Sequence, residues 1–260
     1  EHNIKILNAS LHFLEINISK IYIFGKNTSI KHLSNDLNYK KHKSNIILVE
    51  CKEPEKEIFE FLNTNTINSI VRGSLSSSKF LNMVKRNFNI PCINRLALLE
   101  TFKGFQFFYG PVGIDECNNF NKKISFIKSA IKILNSLQIK PILSVLSGGR
   151  IGDLGRDSQV DETINIANHV VEYFQKESPD LAVSHDEILI ENAIKKKSNL
   201  IVAPDGISGN LIYRTLVHLG GGKAYGAIYM DLNKTIIDTS RVGNQSEILG
   251  ALLLSLALAS

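Results

Sequence analysis

The sequence predicts an α/β protein whose strands form mainly parallel sheets. Short apolar runs alternate with segments of helical periodicity along most of the 260 residues. This alternation is typical of β-α-β units, in which helices connect parallel strands. The composition is 43% hydrophobic and 21% charged, which is ordinary for a globular protein and excludes a largely disordered chain.

The predicted strands are short apolar runs bounded by polar or turn residues. Such runs are typical of strands that are buried on both faces. In chain order they are residues 20–24, 45–49, 69–71, 93–99, 105–109, 142–146, 181–184, 200–203, 225–230 and 235–237.

The predicted helices lie between and after these strands. Residues 120–137 give the clearest pattern, because Ile124, Ile127, Ile131 and Leu134 recur at three- and four-residue spacing. The last helix is apolar but only about 12 residues long, whereas a membrane span needs about 20, so it is predicted to be a buried helix. The predicted helices are residues 53–63, 76–88, 120–137, 160–175, 186–196, 209–219 and 248–259.

Turn residues at 111–113 separate two α/β blocks and predict a hinge there. We therefore expect a first α/β domain at 1–110, completed by the C-terminal helix 244–260. A second α/β domain is expected at 111–243, with a cleft between the two domains.

Charge and cysteine content narrow the function classes. The net charge is +5, and the basic runs at 40–43 and 195–197 are typical of solvated surface, so no nucleic-acid partner is expected. A mildly basic surface suits a small anionic substrate. The three cysteines form no CxxC pair, the histidines and carboxylates form no metal-ligand pattern, and no signal segment is evident. We expect a cytoplasmic protein without a metal and without membrane association.

A glycine-rich loop at 147–156 follows a predicted strand and precedes a predicted helix. Its glycines allow the backbone N–H groups to approach an anion, and its arginines have the fork geometry that suits phosphate. The alternative is a surface connection whose arginines pair with Asp153 and Asp157. The candidate anion ligands are Gly148, Gly149, Arg150 and Arg156.

A second loop, at 204–210, also joins a strand to a helix. Asp205 is a candidate for proton transfer, and Gly209 and Asn210 are candidate substrate ligands, because ligands of open α/β sheets bind at the carboxyl ends of strands. The alternative is a turn in which Asp205 or Ser208 simply caps the next helix.

A third loop carries Ser240 and Arg241, which offer a hydroxyl and a guanidinium to one oxyanion. Glu247, one turn into the last helix, is a candidate base. The alternative is a helix cap, with Ser246 or Asn244 as N-cap and Glu247 stabilising the positive end of the helix.

A fourth loop contains Arg72, Ser74 and Ser76 before a predicted helix. Its hydroxyls and its arginine are candidate phosphate ligands. Serine-rich helix starts are also common without any ligand, and this alternative stays open.

Residues 199–260 resemble the C-terminal part of phosphate acetyl- and butyryltransferases, through APDGISGN at 203–210 and DTSR at 238–241. The runs RGSLSSSK at 72–79, GGRIGDLGRDSQVD at 148–161 and HDEILIENA at 185–193 are similar to the methanogenesis marker protein 4 (MtxX) family. The resemblance implies the two-domain fold of phosphotransacetylases and of isocitrate and isopropylmalate dehydrogenases, a homodimer and an archaeal methanogen as the source. The first 65 residues match little of these families.

The resemblance also implies roles for single residues. Ser240 and Arg241 correspond to the pair that binds the acyl phosphate, and Glu247 stands where that family has the aspartate that deprotonates the coenzyme A thiol. Met83 stands where the family has a substrate arginine, and Arg86 follows three residues later.

Three functions follow as hypotheses. The first is a phosphotransacetylase-like acyl or phosphoryl transferase, with coenzyme A or an acyl phosphate as a substrate and no assigned cofactor. The second is a methyltransferase component of the MtxX type. The third is a non-catalytic, anion-binding assembly factor that works with proteins of methanogenesis.

Overall fold

A computed structural model describes residues 2–241 and 243–259 of the protein. Its strands are β1 (Ile21–Gly25), β2 (Ile46–Glu50), β3 (Ser69–Arg72), β4 (Arg95–Glu100), β5 (Gln106–Gly110), β6 (Ile142–Val145), β7 (Ala182–His185), β8 (Leu200–Val202), β9 (Lys223–Tyr229) and β10 (Thr235–Asp238). Each lies at a predicted strand.

The helices are α1 (His2–Ile16), α2 (Asn27–Ser34), α3 (Leu37–Lys41), α4 (Pro54–Asn63), α5 (Ser77–Phe88), α6 (Phe120–Ser136), α7 (Ser158–Glu177), α8 (Ile190–Lys195), α9 (Gly206–His218) and α10 (Gln245–Ala259). The predicted alternation of strands and helices is confirmed. Within the described chain, every helix falls short of the length and apolarity that crossing a bilayer demands.

The chain forms two compact units. Unit 1 consists of the described residues of Glu1–Cys92 and Tyr225–Ser260, and unit 2 consists of Ile93–Ala224. This division differs from the expected boundaries at 110 and 243. The reason is strand pairing: β10 pairs with β3 in unit 1, whereas β5 pairs with β8 in unit 2.

Unit 1 contains two groups of strands. β1 and β2 form a parallel pair, and β10 lies between β3, which is parallel to it, and β9, which is antiparallel. α1 packs against α10. Leu7 and Leu11 of α1 pack with Ile23, Leu33 and Ile46 in the core of this unit.

Unit 2 has the strand order β4-β5-β8-β6-β7. β4 and β5 form an antiparallel hairpin, and the pairs β5–β8, β8–β6 and β6–β7 are parallel. α6 begins where the Asn119 side chain accepts a hydrogen bond from the Lys122 N–H, and it buries Ile124, Ile127 and Leu134 as its spacing predicts. The parallel strands place the loops after β6 and β8 at one edge of the sheet.

Candidate functional site

The carboxyl ends of β3 and β10 bring Arg72 and Asp238 together in unit 1. The two residues are register partners of the parallel pair, and only 4% and 8% of their surfaces are exposed. Arg72 Nε donates a hydrogen bond to Asp238 Oδ1, so the strand ends are joined by a buried ion pair. Breaking such a pair leaves an uncompensated charge in a low-dielectric environment.

The other donors of Arg72 bind backbone carbonyls. Nη1 donates to the oxygens of Leu75 at 2.6 Å and Gly73 at 3.3 Å, and Nη2 donates to that of Thr239. Thr239 Oγ1 in turn donates to the Arg72 carbonyl at 2.6 Å. Arg72 therefore holds the two loops together with donors that a phosphate would otherwise use.

The loop that Arg72 shapes leads into α5. Ser74 is exposed on it. Ser76 precedes the helix without capping it through its side chain, and its Oγ lies 3.2 Å from Ser78 Oγ. The first amides of α5 therefore lack a side-chain cap from Ser76, and such amides favour negative charge.

Glu247 lies in the first turn of α10 and is only 3% exposed. Its Oε1 accepts a hydrogen bond from the Ser240 N–H at 2.7 Å. Asn244 Oδ1 accepts from the Glu247 N–H at 2.9 Å, so Asn244 caps the helix while the carboxylate of Glu247 faces the preceding loop. Gly243 makes room for that carboxylate, because an added Cβ would overlap Glu247 Oε2.

The environment of Glu247 favours the protonated acid. Burial raises its pKa to about 7 from an ordinary 4.5; the Ser240 N–H opposes this rise, the nearby Asp238 adds to it and Arg72 opposes it. A carboxyl group with this pKa is present in both protonation states at neutral pH. It can therefore accept and return a proton.

Ser240 and Arg241 differ in their surroundings. Ser240 is half-buried and its amide holds Glu247. Arg241 is exposed, and its guanidinium makes neither a hydrogen bond nor an ion pair with any residue in the described ranges. Arg241 is thus a cation close in sequence to the buried carboxyl group.

The glycine-rich loop of unit 2 uses many of its own amides. The Gly148 N–H donates to Thr163 Oγ1 at 2.8 Å, and the Arg150 N–H donates to Asp153 Oδ2 at 2.9 Å. The Gly155 N–H donates to both oxygens of Asp161. Gly149 is required for packing, because an added Cβ would lie 2.5 Å from Val160 Cγ1.

The two arginines of this loop have different partners. Arg156 forms an exposed ion pair with Asp153. The Arg150 N–H and, next, Arg156 lower the pKa of Asp153. Asp157 caps α7. Arg150 is exposed, and no described residue pairs with its guanidinium, so it is the cation that this loop presents to solvent.

The loop after β8 is a capped turn. Asp205 Oδ1 accepts hydrogen bonds from the N–H groups of Ile207 at 2.8 Å and Ser208 at 2.9 Å. Asn210 Nδ2 donates to the Val112 carbonyl at 2.7 Å. A Cβ on Gly209 would overlap the Pro111 carbonyl oxygen. In this arrangement Asp205 caps α9, while Gly209 and Asn210 hold the loop at 111–113.

The substitution Gly209→Ala is expected to destabilise the protein by at least about 2 kcal/mol, because the backbone at Pro111 would have to move. Urea denaturation followed by circular dichroism measures this change. Gly152→Ala is the matched control, since no atom lies within 4 Å of its added Cβ, and its cost is expected to stay within about 0.5 kcal/mol. Equal costs for both variants would contradict the close approach of α9 to this loop.

The predicted residues thus fall into two groups. Unit 1 brings Arg72, Ser240 and Glu247 together around Asp238 and Thr239. Unit 2 carries the glycine-rich loop and the capped turn at Asp205. Among residues 2–241 and 243–259, no three His, Cys, Asp or Glu side chains are grouped so that they could hold a metal ion.

Comparison with known proteins identifies the family. The family model for "Phosphate acetyl/butaryl transferase" matches residues 62–256. The chain belongs to this family. A relative from Methanosarcina barkeri, "Putative methyltransferase mtx subunit X", is 38% identical over 243 residues, which are 93% of this chain and 84% of the relative. Both resemblances seen in the sequence are confirmed.

Solved structures confirm the expected fold. A branched-chain phosphotransacylase from Enterococcus faecalis superposes with a TM-score of 0.73 at 15% identity, covering 98% of this chain and 96% of that one. A 4-hydroxythreonine-4-phosphate dehydrogenase from Klebsiella pneumoniae gives 0.56 at 10% identity, covering 98% and 87%. The phosphate acetyl/butaryl transferase family and these dehydrogenases therefore share the mixed α/β architecture of this chain.

Sequence reasoning missed two buried polar residues of this family member, Lys123 and Ser147. Lys123 on α6 is 1% exposed, and its Nζ donates to the carbonyls of Pro204 at 2.5 Å and Ala203 at 3.3 Å. Burial lowers its pKa to about 8. The available signal was its position four residues before Ile127, on the buried face of the helix.

The second missed residue is Ser147. Its Oγ lies 2.8 Å from His185 Nε2 and also 2.8 Å from the Gly149 carbonyl, to which it donates. His185 Nδ1 lies 2.8 Å from Asn168 Oδ1. These contacts fix the start of the glycine-rich loop against β7 and α7, and no sequence motif marks them.

Proposed function

We propose that this protein transfers an acyl group between phosphate and a thiol, with Glu247 as the proton carrier. The observation that carries the proposal is the buried carboxyl group of Glu247, which is held by the Ser240 N–H and has a pKa of about 7. Membership of the phosphate acetyl/butaryl transferase family supports this reaction class. The substrate class is a small acyl phosphate, with coenzyme A as the thiol.

In the proposed reaction, the Glu247 carboxylate accepts the proton of the thiol. The sulfur forms a bond with the acyl carbon, and the bond from that carbon to the phosphate oxygen breaks, so inorganic phosphate leaves with the electron pair. Arg241 neutralises phosphate charge and Ser240 supplies a hydroxyl to it, because charge-assisted donors stabilise a developing anion. Glu247 is favoured over Asp205 as proton carrier, since Asp205 already caps α9 through one oxygen.

The test is coenzyme A-dependent loss of acetyl phosphate and butyryl phosphate, measured with the wild type and Glu247→Gln. The variant is expected to be about a hundredfold slower, because glutamine takes up no proton. Glu60→Gln is the matched control, since Glu60 is an exposed glutamate of unit 1, and its rate is expected to be unchanged.

Two results would overturn the proposal. One is an equal rate for Glu247→Gln and the wild type. The other is a wild type that binds phosphate in calorimetry but transfers no acyl group, which would favour the non-catalytic, anion-binding role instead. The expected homodimer is a separate prediction, and light scattering after gel filtration checks it.

A methyltransferase component is the second candidate. Its support is the name carried by the Methanosarcina barkeri relative. Methyl transfer to a thiol acceptor that is unchanged in Glu247→Gln, together with no acyl transfer by the wild type, would favour this role over the first.

A further inference from the structure

Unit 1 contains a cavity of about 670 Å³, and Ser74 is the one predicted site residue among those that border it. Its walls come from α1 and α10, with Ile6 and Leu252 among their contributions, and from residues 21–24 and 66–71. This volume is in the range of cavities that bind small organic ligands.

The strands meet this cavity along their edges. Every residue of 21–24 and of 66–71 borders it, although successive side chains of a strand point to opposite faces. β1 pairs with β2 on one side, and β3 pairs with β10. Within the described ranges no pairing joins β1 to β3, so their other edges present backbone N–H and C=O groups to the cavity.

The helical walls are apolar by contrast. Ser10 Oγ donates to the Ile6 carbonyl at 2.9 Å, and Ser255 Oγ donates to Ser69 Oγ at 2.7 Å, so these hydroxyls are already bound within the walls. The other α10 side chains at the cavity include Leu252 and Leu256. A ligand must therefore offer hydrocarbon to the helices and hydrogen-bonding groups to the strand edges.

We propose that the cavity binds an extended N-acyl amide, a linear molecule that joins an aliphatic chain to an amide-linked carboxylic acid. N-octanoylglycine represents this class of ligand, because its extended chain has about the length of four strand residues and the cavity has room for it.

One end of the cavity lies beside the candidate site. Ser74 and Leu75, which follow Arg72, border it, and so does Ile248, which follows Glu247. That the bound N-acyl amide is the acyl part of the substrate rests on the proposed function. The binding itself does not.

The test is isothermal titration of the wild type with three acids. N-octanoylglycine carries both chain and amide, octanoate lacks the amide, and N-acetylglycine lacks the chain. We expect N-octanoylglycine to bind at least about tenfold more tightly than either, since each of the others leaves one kind of wall unsatisfied. Binding of octanoate or N-acetylglycine as tight as that of N-octanoylglycine would overturn the inference.

Leu252→Trp fills the cavity and is expected to weaken N-octanoylglycine binding at least about tenfold. Leu253→Trp is the matched control on the same helix, because Leu253 is 38% exposed and does not border the cavity. Equal binding by the two variants, both folded by circular dichroism, would place the ligand elsewhere. Calorimetry needs no turnover, so absence of acyl transfer would refute the proposed function and leave this binding result standing.

Discussion

Glu247→Gln is expected to gain stability over the wild type as the pH rises. The wild-type carboxyl group has a pKa of about 7 in the folded protein and about 4.5 when unfolded, so the folded state holds the extra proton between these values. The stability that this extra proton contributes to the folded wild type is fully present below pH 4.5 and is lost as the pH rises through 7. When the pH is raised from 5 to 8, the free energy of unfolding of the variant should rise by roughly 2 to 3 kcal/mol relative to that of the wild type.

Urea denaturation of both proteins at the two pH values measures this gain. Glutamine still offers an oxygen to the Ser240 N–H, so the comparison isolates the charge. Taking the difference between variant and wild type cancels the pH dependence that the two proteins share. Glu60→Gln should show a constant difference, because its side chain is exposed. A constant difference for Glu247→Gln as well would mean that its carboxyl group is not desolvated.

Arg72→Met is expected to lower the free energy of unfolding by about 3 to 5 kcal/mol. Asp238 would remain buried without its cation, and three backbone carbonyls would lose their donor. Urea denaturation at pH 7 measures the loss. The double variant Arg72→Met with Asp238→Leu should recover part of it, because both charges are then removed.

Arg156→Met is the control for this ion-pair prediction. The Arg156 side chain is 76% exposed in its pair with Asp153, whereas that of Arg72 is 4% exposed. Exposed pairs contribute less than about 1 kcal/mol, so Arg156→Met should be nearly neutral. Similar costs for the two arginine variants would contradict the burial of the Arg72–Asp238 pair.

The strand and helix pattern was predictable because it depends on local periodicity. α1 was not predicted, since apolar residues such as Ile4, Ile6 and Leu7 leave no clean polar face, and packing against α10 accounts for the helix. The division into units was also beyond the sequence. It depends on the pairing of β10 with β3, which are far apart in the chain.

For the site, the sequence showed which groups have suitable chemistry but not which donors are already used. The sequence alone does not distinguish the roles of Arg72 and Arg241. In the structure, Arg72 binds Asp238 and backbone carbonyls, whereas Arg241 is exposed. Likewise, the sequence does not show that the Arg150 N–H and the Arg156 side chain both bind Asp153. Such choices follow from three-dimensional proximity, which no spacing rule contains.

The composition of unit 1 from both ends of the chain has a consequence for biosynthesis. Residues 93–224 leave the ribosome as a complete folding unit, whereas residues 1–92 must await β10 and α10. Until then α1 lacks its packing partner and β3 its neighbour. Residues 1–92 are therefore most exposed to aggregation during synthesis, and translation of β10 and α10 sets the moment at which that exposure ends.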